Sequence, residues 1–310
     1  MKSRPQSHLM ILIALFSLIL ASLACTFNFD NNSGEDLSIQ QTLVALQLTQ
    51  TALEDKLSVE TIPPEDVIQP GVPTDEEPTQ ESPEVTPDVS YEGISFSFNS
   101  NITGGVIPTT IQGQNLGEEV MPSETYPTHY TFNFDAYAVS DHFHTPIILV
   151  YPVEEYRAIS PYAGDVIDNL KQTLINHPGA GSMSDLPFLP MWNAAQIFSA
   201  KVEYFDFQTG SGLRYLTMFG QALYPVDNQN LFYTYQGITH DGRYYICAVL
   251  PVSNVGLPDE GQITDWIAFE ENWNTYIADT LAWLEAQDVE NFNPPLSSLD
   301  AMMESFEINR

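Results

Sequence analysis

Residues 231–251 read LFYTYQGITHDGRYYICAVLP. Two β-branched and aromatic runs, Leu231 to Ile238 and Tyr244 to Pro251, flank Asp241-Gly242, and Asp-Gly between such runs is the strongest short-range signal for an antiparallel hairpin. Just upstream, Gln196 to Phe207 and Leu213 to Leu223 flank a second turn, Gln208-Thr209-Gly210-Ser211-Gly212. The consecutive hairpins predict an antiparallel meander. Working outward, Ile94-Ser95-Phe96-Ser97-Phe98 alternates strictly, as a half-buried strand does, and Tyr130 to Val139 and Pro146 to Val150 add two further strands. Apolar periodicity places helices at Glu154 to Asn176, Thr264 to Gln287 and Leu296 to Ser305. The fold class is therefore α+β, an antiparallel β-meander sheet covered by helices, within one globular domain over residues 92–310.

The whole chain has 310 residues, 43% of them hydrophobic, enough for one sizeable core plus accessory segments. Lys and Arg number 9 against 41 Asp and Glu, a formal net charge of −32. A surface so negative repels the phosphates whose neutralisation dominates nucleic-acid affinity, so nucleic acid is not a partner. The only two cysteines are Cys25 and Cys247, which excludes a disulfide framework and a Cys-rich zinc site. No cofactor is expected.

The N-terminus has the layout of a secretory signal: Lys2 and Arg4, an apolar run from Leu9 to Leu20, then small residues. The stretch Leu20-Ala21-Ser22-Leu23-Ala24-Cys25 resembles the lipobox of bacterial lipoproteins. That resemblance implies a signal peptide over 1–24, lipidation of Cys25 and an extracytoplasmic protein anchored to a membrane of the cell envelope. Ser22 and Ala24 also fit ordinary signal-peptidase cleavage, which would give plain secretion. In 25–57, the positions Ile39, Leu43, Leu46, Leu53 and Leu57, with Gln50 in the same seam, have helical spacing. They suit either a short coiled coil, and so a homo-oligomer through 36–57, or a lone amphipathic helix. Residues 58–91 carry seven prolines, nine acids and no Lys or Arg, the composition of an extended disordered linker.

The opening "YEGISFSFNS", the central meander and the closing "LSSLDAMMESFEIN" resemble in layout the Mog1/PsbP-type sandwich of exported bacterial domains. The resemblance implies a sheet covered by helices and a non-catalytic binding or assembly role. Segment 183–192 has no counterpart in that layout.

Residues suited to chemistry are few. In Asp141-His142-Phe143-His144, histidines two apart on a strand would share a face and could chelate a metal, yet no third ligand is local and His129 joins only if the fold brings it there. A polar loop is the alternative. No nucleophile elbow is present, and Cys247 lies in an apolar strand where a thiol behaves as a core residue. Glu203 and Asp206, three apart on a strand, face opposite ways and cannot flank one glycosidic bond unaided. Asp227-Asn228-Gln229-Asn230 begins like a calcium loop, but Phe232 replaces the required glycine and Ile238 the terminal glutamate. Accidental carboxylate pairs are expected where 27 acids face 6 basic residues over 92–310, a formal charge of −21.

The aromatic density from Phe188 to Tyr245 has two readings, a core covered on both faces or an aromatic platform on an open face. The platform would consist of Trp192, Tyr215, Tyr233 and Tyr235 with Arg214 as polar anchor, taking an envelope protein or a glycan. Lys201, Arg214 and Arg243 are rare cations that serve either as internal ion-pair partners or as ligand anchors. The leading expectation is thus a membrane-tethered, non-catalytic binding or assembly protein. An exported hydrolase, metal-dependent if His142 and His144 converge with an acid, and an oligomeric stalk are the alternatives.

Overall fold

A computed structural model describes residues 87–117, 121–178 and 186–310, all within the compact unit Gln80–Arg310. The expected signal peptide, Cys25, the helix over 36–57 and the linker up to residue 86 lie outside the described residues. The unit mixes helices with antiparallel sheets. In chain order its strands are β1 Val89–Tyr91, β2 Ile94–Phe96, β3 Gly105–Ile111, β4 His129–Asp135, β5 Ile147–Pro152, β6 Ala195–Gln196 and β7 Ala200–Phe207. There follow β8 Gly210–Thr217, β9 Phe219–Gly220, β10 Phe232–Thr239, β11 Tyr244–Pro251, β12 Ser253–Asn254, β13 Phe292–Asn293 and β14 Glu307–Ile308. The helices are α1 Val153–Ile159, α2 Pro161–Asn176, α3 Trp266–Ala286 and α4 Leu296–Glu304.

The predicted meander is the centre of a seven-stranded antiparallel sheet of order β3-β4-β5-β11-β10-β8-β7. Its β10–β11 turn is fastened by side chains: the Thr239 hydroxyl donates to Asp241 at 2.6 Å, the Arg243 N–H donates to the same carboxylate at 3.0 Å, and Gly242 takes φ +73°. Glycine inside these strands makes room for rings. A Cβ on Gly212 would lie 2.4 Å from the Tyr235 ring that crosses it.

Both faces of the sheet are buried. Val150, Leu216, Tyr233, Tyr235 and Ile246 face a core closed by α3, α4 and the small β1-β2-β14 sheet, where Phe96 stacks on Phe306 at 5.0 Å. Leu149, Tyr215, Phe232, Tyr245 and Cys247 face a second core closed by α2 and by the irregular segment 186–192. Alternate residues of each central strand therefore serve different cores, which is why these strands read as continuous apolar runs.

The strands expected over Gln196 to Phe207 and Leu213 to Leu223 are each broken in two, into β6 and β7 and into β8 and β9, and the one expected to reach Val139 ends at Asp135. The structure departs from expectation elsewhere too. The single helix over Glu154 to Asn176 is two helices, because Pro161 pushes Ser160 into extended backbone (φ −141°) and the Ser160 hydroxyl then caps α2 by accepting from the Ala163 N–H at 3.2 Å. The end of the acidic linker is structured, since Val89–Tyr91 pairs with β2. The edge strand β3 lacks a strict alternating pattern and carries Pro108, tolerated because that edge has no neighbour to receive an N–H. No described helix is long and apolar enough to cross a membrane.

Candidate functional site

The five expected platform residues do not share a surface. Tyr215, Tyr233 and Tyr235 have no exposed area and Arg214 has 2%. Tyr215 points into one core and Tyr233 and Tyr235 into the other. The platform is replaced by a core because helices cover both faces of the sheet, and only Trp192 is left half-buried at an opening.

Arg214 is an internal ion-pair partner. Its guanidinium donates to Glu203 at 2.6 Å, to Asp300 of α4 at 3.3 Å and to the Lys201 carbonyl, and the Tyr233 hydroxyl donates to the same Asp300 oxygen at 3.0 Å. Burial raises the Asp300 carboxyl to about 6 against the opposing pull of Arg214. Lys201, at a bulge with φ +56°, donates from Nζ to the carbonyls of Glu285 and Gln287, closing the C-terminal end of α3. Arg243 is exposed beside Asp241 and donates to the Arg310 carbonyl at 2.6 Å. With Glu203 committed to Arg214 and Asp206 exposed, these two acids form no catalytic pair.

The histidines are arranged for structure at one position and for access at the other. His142 Nδ1 accepts the His144 backbone N–H at 2.9 Å, so Nε2 carries the hydrogen and donates to the Leu231 carbonyl at 2.9 Å. Both nitrogens are occupied, and no group of metal-ligating side chains occurs among the described residues. His129 is separately buried, its Nδ1 2.8 Å from the Pro127 carbonyl and its ring 4.7 Å from that of Tyr151. His144 instead lies flat on Trp192, ring centroids 4.6 Å apart and planes within 4°. Burial, reinforced by His142, lowers its pKa to about 4, so the ring is neutral at pH 7. Cys247 is a core thiol held protonated by burial, donating to the Leu189 carbonyl.

Trp192 is placed by a buried reading of the chain before it. The Gln236 side chain accepts the Leu189 N–H at 3.0 Å and donates to the Leu189 carbonyl at 3.1 Å, as a strand neighbour would. The Tyr215 hydroxyl donates to the Pro187 carbonyl at 3.0 Å, and Tyr245 donates to Gln236 at 2.6 Å. Segment 186–192 is thus pinned to the sheet by three side chains from β8, β10 and β11, and its Trp192 emerges against Phe188, Phe219 and Phe232.

The result is a cleft of about 840 Å³ whose walls include His144, Trp192, Phe219 and Tyr224. A second cleft of about 430 Å³ lies on the α2 side, and Trp192, Asn193, Ala194 and Phe219 border both. Phe143 on the rim is 79% exposed and Tyr224 46%, the latter edge-on to Trp266 at 6.0 Å. Asn193, Gln221, Gln229 and Glu260 supply polar side chains. Asp227 also borders the cleft, but its Oδ1 accepts from the Asn230 N–H and amide at 3.0 and 2.8 Å and its Oδ2 from the Gly261 N–H at 2.8 Å. This carboxylate closes a turn instead of awaiting calcium. No Lys or Arg lines the cleft among the described residues.

A further concavity of about 690 Å³ by Lys171, Asp206 and Asp241 mixes charges of both signs and stacks His177 on Tyr204 at 4.3 Å. It presents no exposed aromatic comparable with Phe143. Phe143, Tyr224 and Gln221 were not among the expected site residues. Gln221 reads as part of the strand Leu213 to Leu223, but β8 stops at Thr217 and only Phe219–Gly220 follows as β9, which leaves Gln221 and Tyr224 in a loop where the ring has no core to serve. The chain matches no protein-family model, no curated protein and no solved structure.

Proposed function

We propose that this chain is an extracytoplasmic lipoprotein, tethered at Cys25 through the acidic spacer, whose globular unit binds its ligand in the Trp192–His144 cleft without catalysis. The lipobox-like leader, the composition of 58–91 and the layout resemblance to Mog1/PsbP-type domains all support this reading. One observation carries the binding role: a cleft of about 840 Å³ is walled by aromatic rings, two of them standing in solvent, at the end of a segment that buried side chains hold in place. The walls support the non-catalytic reading: Asp227 has both oxygens occupied and Glu260 is left as a single carboxylate at the rim, whereas acid-base work on a glycosidic bond needs two.

Retention of envelope material by the immobilised full chain tests it. The wild type is expected to retain a ligand that the paired substitution Phe143→Ala and Tyr224→Ala releases, at unchanged melting temperature. Equal retention by both proteins would place the function elsewhere.

A further inference from the structure

Resting on the reading of the Trp192 cleft as the ligand site, we infer that its ligand is an uncharged carbohydrate chain. Charge excludes most other classes. No Lys or Arg lines the cleft among the described residues, and it opens on a domain of formal charge −21, so phosphates and carboxylates are repelled. A cation finds little better. Asp227 is spent on three N–H donors, His144 is neutral at pH 7, and Glu260 on the rim is solvated. What remains is ring surface with uncharged hydrogen-bonding groups.

That combination fits a sugar. A pyranose offers apolar C–H faces, which the exposed rings of Phe143 and Tyr224 can cover, and hydroxyls that both donate and accept. Asn193, Gln221 and Gln229 present side-chain amides, each donor and acceptor at once, and the neutral His144 ring adds one of each. The His144 ring nitrogens have no partner among the described residues, and His144 lines the cleft. Length follows from size: a cleft of about 840 Å³ holds more than one residue of a linear chain.

The experiment uses the full chain in a non-glycosidic detergent, titrated by calorimetry with maltohexaose, cellohexaose and chitohexaose, and with hexagalacturonate and choline as charged probes. At least one neutral hexasaccharide is expected to bind saturably, with hexagalacturonate about tenfold weaker or worse. Phe143→Ala and Tyr224→Ala should each weaken that binding by about tenfold while the melting temperature holds. Binding of choline or hexagalacturonate in preference to all three neutral chains overturns the inference, as does binding of none. In the last case the envelope-retention experiment separates the two readings. Retention lost in the Phe143 and Tyr224 double variant leaves the cleft as the site with a different ligand class, and undiminished retention removes both.

Discussion

Asp300 is a carboxylate with 18% of its side chain exposed, between α4 and the sheet, holding Arg214 and Tyr233 at once. Its pKa of about 6 lies above the ordinary value of 3.8 that applies in the unfolded chain. Between pH 4 and 6 the folded protein therefore binds a proton that the unfolded chain has released, so this group's contribution to stability falls as pH rises through that window. Above it the charged form carries the full penalty, on the order of 2–3 kcal/mol. Asp300→Asn keeps a carbonyl oxygen for the two donors and removes the titration. Urea midpoints measured from pH 4 to 7 should lie close together near pH 4, where both side chains are neutral, and diverge toward pH 7 in favour of the variant. Taking the difference cancels the self-repulsion of so acidic a chain, which also changes with pH. Parallel curves would show that Asp300 does not titrate there.

At the scale of elements, the segment 186–192 decides where a ligand can sit, and Gln236 decides where that segment sits. Gln236→Leu fills similar volume but leaves the Leu189 N–H buried and unpaired, its carbonyl with the Cys247 thiol alone and the Tyr245 hydroxyl without its acceptor, at a cost of about 2–4 kcal/mol. Hydrogen exchange should speed up at Leu189 ahead of the β10–β11 hairpin, and envelope material should be retained less well. Unchanged exchange at Leu189 would mean that packing alone positions Trp192. This dependence explains what the sequence could and could not disclose. The hairpins at Thr209 and Asp241-Gly242 depend on residues adjacent in the chain, and Tyr244–Pro251 forms as read. The cleft joins Phe143, Trp192 and Tyr224, which no local period connects, and it depends on Gln236 recognising a backbone 47 residues away. Burial was hidden for the same reason. Alternation shows that Tyr233 and Tyr235 share a face, while only tertiary packing shows that α4 lies over it.

For the whole molecule, the proposed anchoring assigns a role to the charge: on that proposal, a chain of formal charge −32 with nine acids and no Lys or Arg over 58–91 would be repelled by an anionic surface. Cys25→Ser should move the protein from the membrane to the soluble fraction, since each buried lipid methylene contributes about 0.8 kcal/mol of anchoring. A glutamate-specific protease should then cut first within 58–86 and leave a resistant fragment that begins near Pro87. Unaltered membrane association would count against lipidation, and early cutting within 196–251 against a single cooperative unit.

The three-stranded β1-β2-β14 sheet brings the two ends of this unit together: β1 and β14 flank the same strand, the Asn309 N–H donates to the Gly93 carbonyl at 2.8 Å, and Arg310 pairs with Glu92 at 3.6 Å. In mechanical terms the unit hangs from one point. If the proposed anchor and ligand both hold, a pull along the chain from residue 87 would load first the three register pairs of β1 on β2, Val89 with Phe96, Ser90 with Ser95 and Tyr91 with Ile94. On that proposal those pairs would act as a fuse: peeling three residues of β1 would leave β14 seated on β2 and relieve the load before it reached the seven-stranded sheet and the cleft that the sheet supports.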